Sequence, residues 1–262
     1  MTFKTIIIML LICVAGATTS IVILLNRHSL NISGAVVPHH NLVADQRADF
    51  FSDLAEHISV PKTIILLSPN HYYAGSGSIQ TTDQKWQLSQ GEISPDQNVI
   101  SYLVKNNLAI NEPPSFKNEH GIFNILSDIH NNFPKAKIVP IIFSAQGARL
   151  PDGQGPASGW KNKLKNLENG LRTSCANCLM IASVDFSHDQ PALLAQQNDE
   201  RSIAGLKARD TTDIIKNANI DSPPSLALLT MWAESHNTLS FILKNHTNAG
   251  AVTHVFGWYE AK

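Results

Sequence analysis

The sequence predicts an α/β fold, in which a mainly central sheet carries helices on both faces and a transmembrane helix precedes the domain. Continuous apolar segments, such as KTIILL at residues 62–67 and CLMIASV at residues 178–184, are typical of strands covered on both sides. Between such segments, apolar residues recur at helical spacing, which predicts helices that alternate with the strands. An uncharged apolar segment at residues 5–25 has the length needed to cross a membrane.

The order of the elements follows from these patterns. The first strand, GAVVPHH, leads into an amphipathic helix at residues 45–58, which Pro61 ends. Residues 74–94 are expected to form loops with short strands. The predicted strands lie at residues 34–40, 62–67, 136–144, 178–184 and 249–260. The other predicted helices lie at residues 96–106, 119–131 and 161–172, and residues 191–246 are expected to be mostly helical with a break at DSPPS.

Composition narrows the class of protein. The chain has 262 residues, of which 43% are hydrophobic and 16% charged, and these values describe an ordinary globular protein. Its formal net charge of −1, without a cluster of Lys and Arg, excludes the electrostatic footprint of a nucleic-acid-binding protein. The sequence has no GxSxG elbow, P-loop or GxGxxG turn, which argues against a serine hydrolase and against nucleotide cofactors.

The amino-terminal segment TIIIMLLICVAGATTSIVILL, residues 5–25, is bracketed by Lys4 and Arg27. A cleaved signal peptide is one interpretation, because AGATTS offers small residues for cleavage. The apolar run resumes at IVILL, however, which favours an uncleaved anchor. We therefore expect a membrane anchor (or signal peptide) at residues 1–26 and an α/β domain at residues 34–262, in a single-pass membrane protein. As a signal-anchor, the segment would put the domain outside the cytoplasm.

Cys175 and Cys178 form a lone CxxC without a second pair, so the sequence does not indicate a structural zinc site. Outside the cytoplasm the two residues would form a small disulfide, and inside it they would be two thiols.

Three histidines stand at the ends of predicted strands. His39, His71 and His188 each follow an apolar run, at the sheet edge where α/β proteins build their sites. Imidazole is the commonest metal ligand, and two or three imidazoles with a carboxylate suit Zn or Fe. The other histidines are expected to be surface or capping residues on helices (His57, His130, His236 and His246), a flank of the anchor (His28), or a core residue without polar neighbours (His254).

Five motifs carry a resemblance to a known family. VVPHH, LLSPNHYYAG, NEHGIFNIL, KIVPIIFS and IASVDFSHD have the order and spacing found in the Memo family, which includes the bacterial AmmeMemoRadiSam system protein B. The resemblance covers nearly all of residues 34–258. It implies a fold similar to that of the class III extradiol (LigB-like) dioxygenases, which hold Fe(II) with two histidines and a carboxylate.

The resemblance also implies roles for individual residues. His39 and His71 correspond to the metal-binding histidines. His188 corresponds to the histidine of the family's SDFSH motif and would act as general acid or base, oriented by Asp185. His120, in the family's EH pair, would line the same cleft.

The third ligand is where the sequence departs from the family. Memo proteins usually have a cysteine facing the metal pocket, whereas the corresponding segment here, NIDSPPSLALL, has none. The alignment puts Asp221 in that place, and a shift of one residue would put Ser222 there. Asp221 would complete a set of two histidines and a carboxylate. It is also a residue type that commonly caps a helix, and the following helix begins within a few residues.

Three functions are consistent with these features. The first is a metal-dependent redox enzyme, dioxygenase-like, that acts on a small organic substrate with Fe(II), or with Cu or Zn, as its divalent metal. The second is a non-catalytic metal- or ligand-binding protein attached to a membrane. The third is a hydrolase that uses metal-activated water.

Overall fold

The computed structural model describes residues 30–144 and 157–262. Its strands in that part of the chain are β1 Ile32–Val37, β2 Thr63–Pro69, β3 Ile79–Thr81, β4 Trp86–Leu88, β5 Gly91–Ile93, β6 Ile110–Asn111, β7 Lys137–Phe143, β8 Cys178–Ser183, β9 Ser240–Ala249 and β10 Val252–Glu260. Its helices there are α1 Ala44–His57, α2 Gln97–Lys105, α3 His120–Asn132, α4 Ala157–Ser174, α5 Ala192–Ala208, α6 Thr211–Asn217 and α7 Pro223–Ser235.

One mixed sheet organises the domain. Its eight strands have the order β6-β3-β7-β2-β8-β1-β10-β9. The four central strands, β7, β2, β8 and β1, are parallel, and β10 continues the sheet antiparallel to β1. The predicted α/β class with a central sheet is confirmed, and the antiparallel strands at both edges make the sheet mixed.

Hydrophobic side chains on the two faces of the sheet form two clusters. Successive residues of the buried strands point to opposite faces, so Ile65 and Leu67 join one cluster while Ile64 and Leu66 join the other. Helices α1 and α3 pack in the second cluster, and α2, α4 and α7 pack in the first. Each face of the sheet is therefore covered by helices, as the continuous apolar strands predict.

The sequence prediction is wrong in the segment after α7. Residues 240–246 were expected to be helical, but they form the first part of β9, which pairs with β10 as an antiparallel hairpin. Half of the residues of β9 are exposed, and Phe241 is its one buried residue. The structure of β9 is therefore determined by its backbone hydrogen bonds to β10, which are long-range contacts. They outweigh the weak helical pattern of the local sequence.

Two other predictions concern the amino terminus and the cysteines. The predicted membrane span at residues 5–25 lies outside the described residues. Within residues 30–144 and 157–262, no helix combines the length and the apolar character needed to cross a bilayer. Cys175 and Cys178 are joined as a disulfide at the start of β8.

Candidate metal centre

The strand order brings the predicted ligands together. His39, His71 and Asp185 each lie two residues beyond the end of a strand, β1, β2 and β8 respectively. Since these strands are parallel neighbours with β8 in the middle, their carboxyl ends lie side by side. Asp221, in the loop before α7, reaches the same place from above the sheet, and its backbone N–H donates to the Asp185 carbonyl over 3.1 Å.

His39 is fully buried and is oriented by its neighbours. Its Nδ1–H donates to the Ser183 hydroxyl over 3.2 Å, and that hydroxyl in turn donates to the Gly121 carbonyl. Nε2 therefore faces the site, 3.3 Å from Asp185 Oδ2 and 3.3 Å from Asp221 Oδ2. A neutral imidazole held in one tautomer by its other nitrogen is the form that binds a metal.

His71 is oriented by a buried carboxylate. Its Nδ1 lies 2.6 Å from Glu119 Oε1, and its backbone N–H donates to Glu119 Oε2 over 2.9 Å. Its Nε2 lies 3.8 Å from Asp221 Oδ2. Burial by itself lowers the pKa of His71, but the hydrogen bonds to Asp221 and Glu119 outweigh burial and raise the pKa to about 9. The carboxylates around His71 thus favour its protonated form.

Glu119 is completely buried, which makes its ionised form depend on its partners. Burial raises the pKa of Glu119, but the hydrogen bonds from His71 and from backbone N–H groups outweigh burial and lower it. A carboxylate that fixes a metal-binding histidine through the second ring nitrogen raises the basicity of that ligand.

Asp221, not Ser222, faces the histidines. Its Oδ2 accepts the backbone N–H of Asp185 over 3.1 Å, and its Oδ1 is buried without a hydrogen-bond partner. The Ser222 hydroxyl instead lies 2.7 Å from the Ser225 hydroxyl in the first turn of α7. Asp221 therefore does not act as the cap of α7, and its unpaired oxygen is available to an ion.

His120, the first residue of α3, completes the wall beside His71. The two ring centroids are 3.8 Å apart, and the rings of His120 and His39 are 5.3 Å apart. Burial and the nearby charge of His71 lower the pKa of His120, which favours its neutral form. His120 thus lies next to both His39 and His71.

Asp185 and His188 are placed differently from what the sequence suggests. The Asp185 carboxylate accepts a hydrogen bond from His254 Nδ1 over 3.1 Å and contacts His39, and among the described residues no hydrogen bond joins it to His188. His254 was expected to lack polar neighbours, and this contact corrects that prediction. Burial raises the pKa of Asp185, but the hydrogen bond from His254 and the charge of His39 lower it below its usual value.

A cleft opens beside these residues. Its volume is about 310 Å³, within the range of small-molecule sites. His71, His188 and Asp221 are among the residues that line it, and apolar side chains such as Phe143 and Ile220 line it as well. The cleft is therefore lined both by polar residues of the candidate metal site, His71 and Asp221, and by an apolar surface suited to a small organic molecule.

The donor atoms fit a divalent cation. In the described part of the chain, two groups of three residues have ligand atoms within 4.8 Å of one another, His39–His71–His120 and His39–Asp185–Asp221. Imidazole nitrogens with carboxylate oxygens are the ligands of Zn and of non-haem Fe. Asp221 Oδ2 faces both histidines, and Oδ1 is buried with no hydrogen-bond partner among the described residues, so this carboxylate has acceptor capacity left for an ion.

Sequence reasoning missed the support beneath His39. Arg47 is buried on α1, where its Nε donates to Asp128 over 2.7 Å and its Nη1 to the His40 carbonyl over 3.3 Å. Asn124 donates to the His39 carbonyl over 3.0 Å. Arg47 lies on the same face of α1 as its apolar residues, and this position could have predicted a buried ion pair, because an unpaired charge is very unfavourable there.

The fold and these side chains define the class: an α/β protein with a candidate metal site of two histidines and a carboxylate at the carboxyl edge of its parallel strands. A sequence model of the family described as Memo-like protein matches residues 18–253. The chain belongs to this family, as the five motifs predict.

Curated relatives support the same assignment. The chain is similar to MEMO1 family proteins of Caldivirga maquilingensis, at 25% identity over 175 residues, 66% of this chain and 58% of the relative, and of Methanopyrus kandleri, at 25% over 189 residues, 71% and 63%. It is also similar to one of Methanosarcina barkeri, at 29% over 234 residues, 85% and 82%. The match thus spans less than two thirds of the length of the first two relatives.

The raised pKa of His71 predicts a pH-dependent metal affinity. Because a metal must displace the proton on His71 Nε2, the apparent affinity should rise about tenfold per pH unit and level off near the His71 pKa of about 9. In Glu119→Gln, which removes a partner that raises this pKa, the levelling should come at lower pH. Zn(II) titrations at several pH values measure the affinity of the unchanged protein and of Glu119→Gln. An affinity that does not depend on pH would contradict binding of the metal at His71 Nε2.

Proposed function

We propose that the protein binds one divalent metal ion at His39, His71 and Asp221 and uses it in a redox reaction on a small organic substrate. The observation that carries this proposal is the convergence of Asp221 Oδ2 on the Nε2 atoms of both histidines, at 3.3 Å and 3.8 Å. A set of two histidines and a carboxylate is the arrangement of non-haem Fe(II) sites, so Fe(II) is the metal we assign first. Cu and Zn also accept imidazole ligands.

When bound, the ion would supply Lewis acidity and redox chemistry next to the cleft. The chain's own residues would do the rest. His71 and His39 present fixed Nε2 atoms because Glu119 and Ser183 hold their other nitrogens. Apolar side chains of the cleft, such as Phe143 and Ile220, would bind the body of the substrate and exclude water.

His188 is the residue we assign as general acid or base. It is half-buried on the wall of the cleft that also includes Asp221, so it can meet a substrate placed against the metal site. An imidazole exchanges protons near neutral pH without a large shift of its pKa. The backbone of His188 bridges to Val252 of β10, which fixes the position of the residue.

A non-catalytic metal-binding protein is the second candidate. It is favoured by the number of donors around the site, since His120 and Asp185 lie near enough to His39 to complete a shell. A shell filled by protein ligands leaves no position for a substrate, whereas an open position permits catalysis.

We also propose that residues 5–25 anchor the protein in a membrane with the domain outside the cytoplasm. The uncharged sequence of that segment supports the anchor. The Cys175–Cys178 disulfide supports the location, because disulfides persist in oxidising compartments and are rare in the cytoplasm.

The third ligand is tested by a matched pair of neighbouring variants. Asp221→Ala should weaken metal binding at least about tenfold, because it removes a charged ligand, whereas Ser222→Ala should bind as the unchanged chain does. Titration of the purified, metal-free protein with Fe(II) under anaerobic conditions measures the difference. Equal affinities of the two variants would mean that Asp221 is not a ligand.

The role of His188 is tested by separating binding from turnover. His188→Ala should keep its metal but lose oxygen consumption in the presence of small phenols and catechols, by about a hundredfold or more if a general acid or base is removed. Metal content and oxygen uptake are measured on the same sample. If His188→Ala loses the metal as well, His188 is a ligand and the assigned role is wrong.

The membrane proposal is tested by fractionation. The full-length chain should stay with the membranes after a high-salt wash, because an apolar span is not released by salt. A chain whose residues 5–25 are deleted serves as the control and should be released. Recovery of a shortened, freely soluble chain from unmodified cells would identify the segment as a cleaved signal peptide instead.

A further inference from the structure

The carboxylate of Asp185 faces two histidines at once. Its Oδ1 accepts a hydrogen bond from His254 Nδ1 over 3.1 Å, and its Oδ2 lies 3.3 Å from His39 Nε2. His39 Nδ1 lies 3.2 Å from the Ser183 hydroxyl, so Nε2 is the His39 nitrogen directed at this carboxylate. A cation held between Nε2 and the carboxylate oxygen, whether a proton or a metal ion, would satisfy both atoms.

The distances from His39 to the two carboxylates are those between ligands of one ion. Metal–nitrogen and metal–oxygen distances of about 2.1 Å, at angles between octahedral and tetrahedral, separate two ligand atoms by about 3.0 to 3.4 Å. His39 Nε2 lies 3.3 Å from Asp185 Oδ2 and 3.3 Å from Asp221 Oδ2. Asp185 thus meets the same distance requirement as Asp221.

The backbone ties the two carboxylate residues to each other. The Asp185 N–H donates to Asp221 Oδ2, and the Asp221 N–H donates to the Asp185 carbonyl, both over 3.1 Å. This reciprocal pair fixes the loop before α7 against the end of β8. The Asp221 carboxylate cannot move away without breaking the hydrogen bond from Asp185 N–H, and the backbone that carries the Asp185 side chain is held in place.

His254 holds the far side of Asp185. It is completely buried on β10, its Nε2 has no hydrogen-bond partner among the described residues, and its Nδ1 is hydrogen-bonded to Asp185. Its ring also lies 5.5 Å from the His40 ring, measured between centroids. β10 is fixed along the same loop, since the Phe186 N–H donates to the Thr253 carbonyl and the Thr253 N–H to the Ser187 carbonyl, both over 3.0 Å. An apolar residue in this position would avoid an unpaired buried nitrogen, so the histidine is unfavourable unless the contact with Asp185 matters.

We propose that Asp185 is a fourth ligand of the metal and that His254 is the positioning residue that keeps its carboxylate directed at the ion. This inference rests on the proposed function, because it concerns the same site. Two carboxylates would balance the charge of a divalent ion and make the site harder than two histidines and a thiolate. Zn(II), Fe(II), Mn(II) and Co(II) all accept imidazole and carboxylate ligands, and a six-coordinate ion would keep two positions for substrate.

The test is a Co(II) titration of the full-length protein, in which visible absorption reports the ligand set and the titration gives the affinity. Asp185→Asn is isosteric and should bind Co(II) more weakly by at least about tenfold, with a changed absorption spectrum. His254→Leu, which removes the donor, should weaken binding about tenfold or more. His254→Asn should restore most of the affinity, because its amide NH₂ can take the place of Nδ1–H.

A matched control lies on the neighbouring strand. His246 of β9 also pairs with a buried carboxylate, at 2.8 Å from Asp199, but that carboxylate does not touch His39, His71 or Asp221. His246→Asn should therefore leave the Co(II) affinity and spectrum unchanged. Thermal unfolding of each metal-free variant measures stability separately, and Asp185→Asn maintains the test if His254→Leu does not fold.

The outcomes separate this inference from the proposed function. If the unchanged protein binds no Co(II), Fe(II) or Zn(II), both fail. If it binds metal but Asp185→Asn retains its affinity and spectrum, Asp185 is not a ligand, and the site of His39, His71 and Asp221 stands without it. If His254→Leu and His254→Asn weaken binding equally while both stay folded, His254 does not act through its hydrogen bond.

Discussion

The charge balance of one buried cluster is the constraint on which the rest of the structure depends. The carboxylates of Glu119, Asp185 and Asp221 meet two imidazoles in a space from which most water is excluded. Burying a carboxylate without compensation is very unfavourable, so positive charge and hydrogen-bond donors must be supplied locally. Imidazoles and backbone N–H groups supply part of it, and a divalent ion would supply the remainder. The raised pKa of His71 has the same cause, because a proton on His71 also supplies positive charge next to these carboxylates.

The sheet brings these charged groups together by combining parallel with antiparallel strands. The parallel strands β1, β8 and β2 bring the ligand-bearing loops to a common edge, as in other open α/β sheets. The antiparallel strand β10 then runs beside β1 and extends past the end of β8, where its backbone binds residues 186–189. Parallel strands alone would leave the loop after β8 without a partner. The hairpin of β9 and β10 therefore contributes to the rigidity of the site as well as closing the sheet.

Much of this arrangement could be predicted from sequence, and the limits have physical causes. Apolar strands ending in histidine identify His39 and His71, because parallel strands place their carboxyl ends together. Asp221 is predicted as the third ligand because the resemblance aligns it with a position that faces the metal pocket. His254 could not be assigned, because its partner is determined by the register of β10 against a distant loop, which no local pattern records. The same long-range pairing explains why β9 was mistaken for a helix.

The central claim is that the metal is held by nitrogen and oxygen atoms, those of His39, His71 and the Asp221 carboxylate. X-ray absorption spectroscopy of the purified, Fe(II)-loaded protein tests this claim most directly, because sulfur is a heavier scatterer at a longer distance. The account predicts only nitrogen and oxygen ligands, at about 2.0 to 2.2 Å. A sulfur ligand at about 2.3 Å would contradict it, because in this chain sulfur could come only from a cysteine outside the cluster or from a methionine.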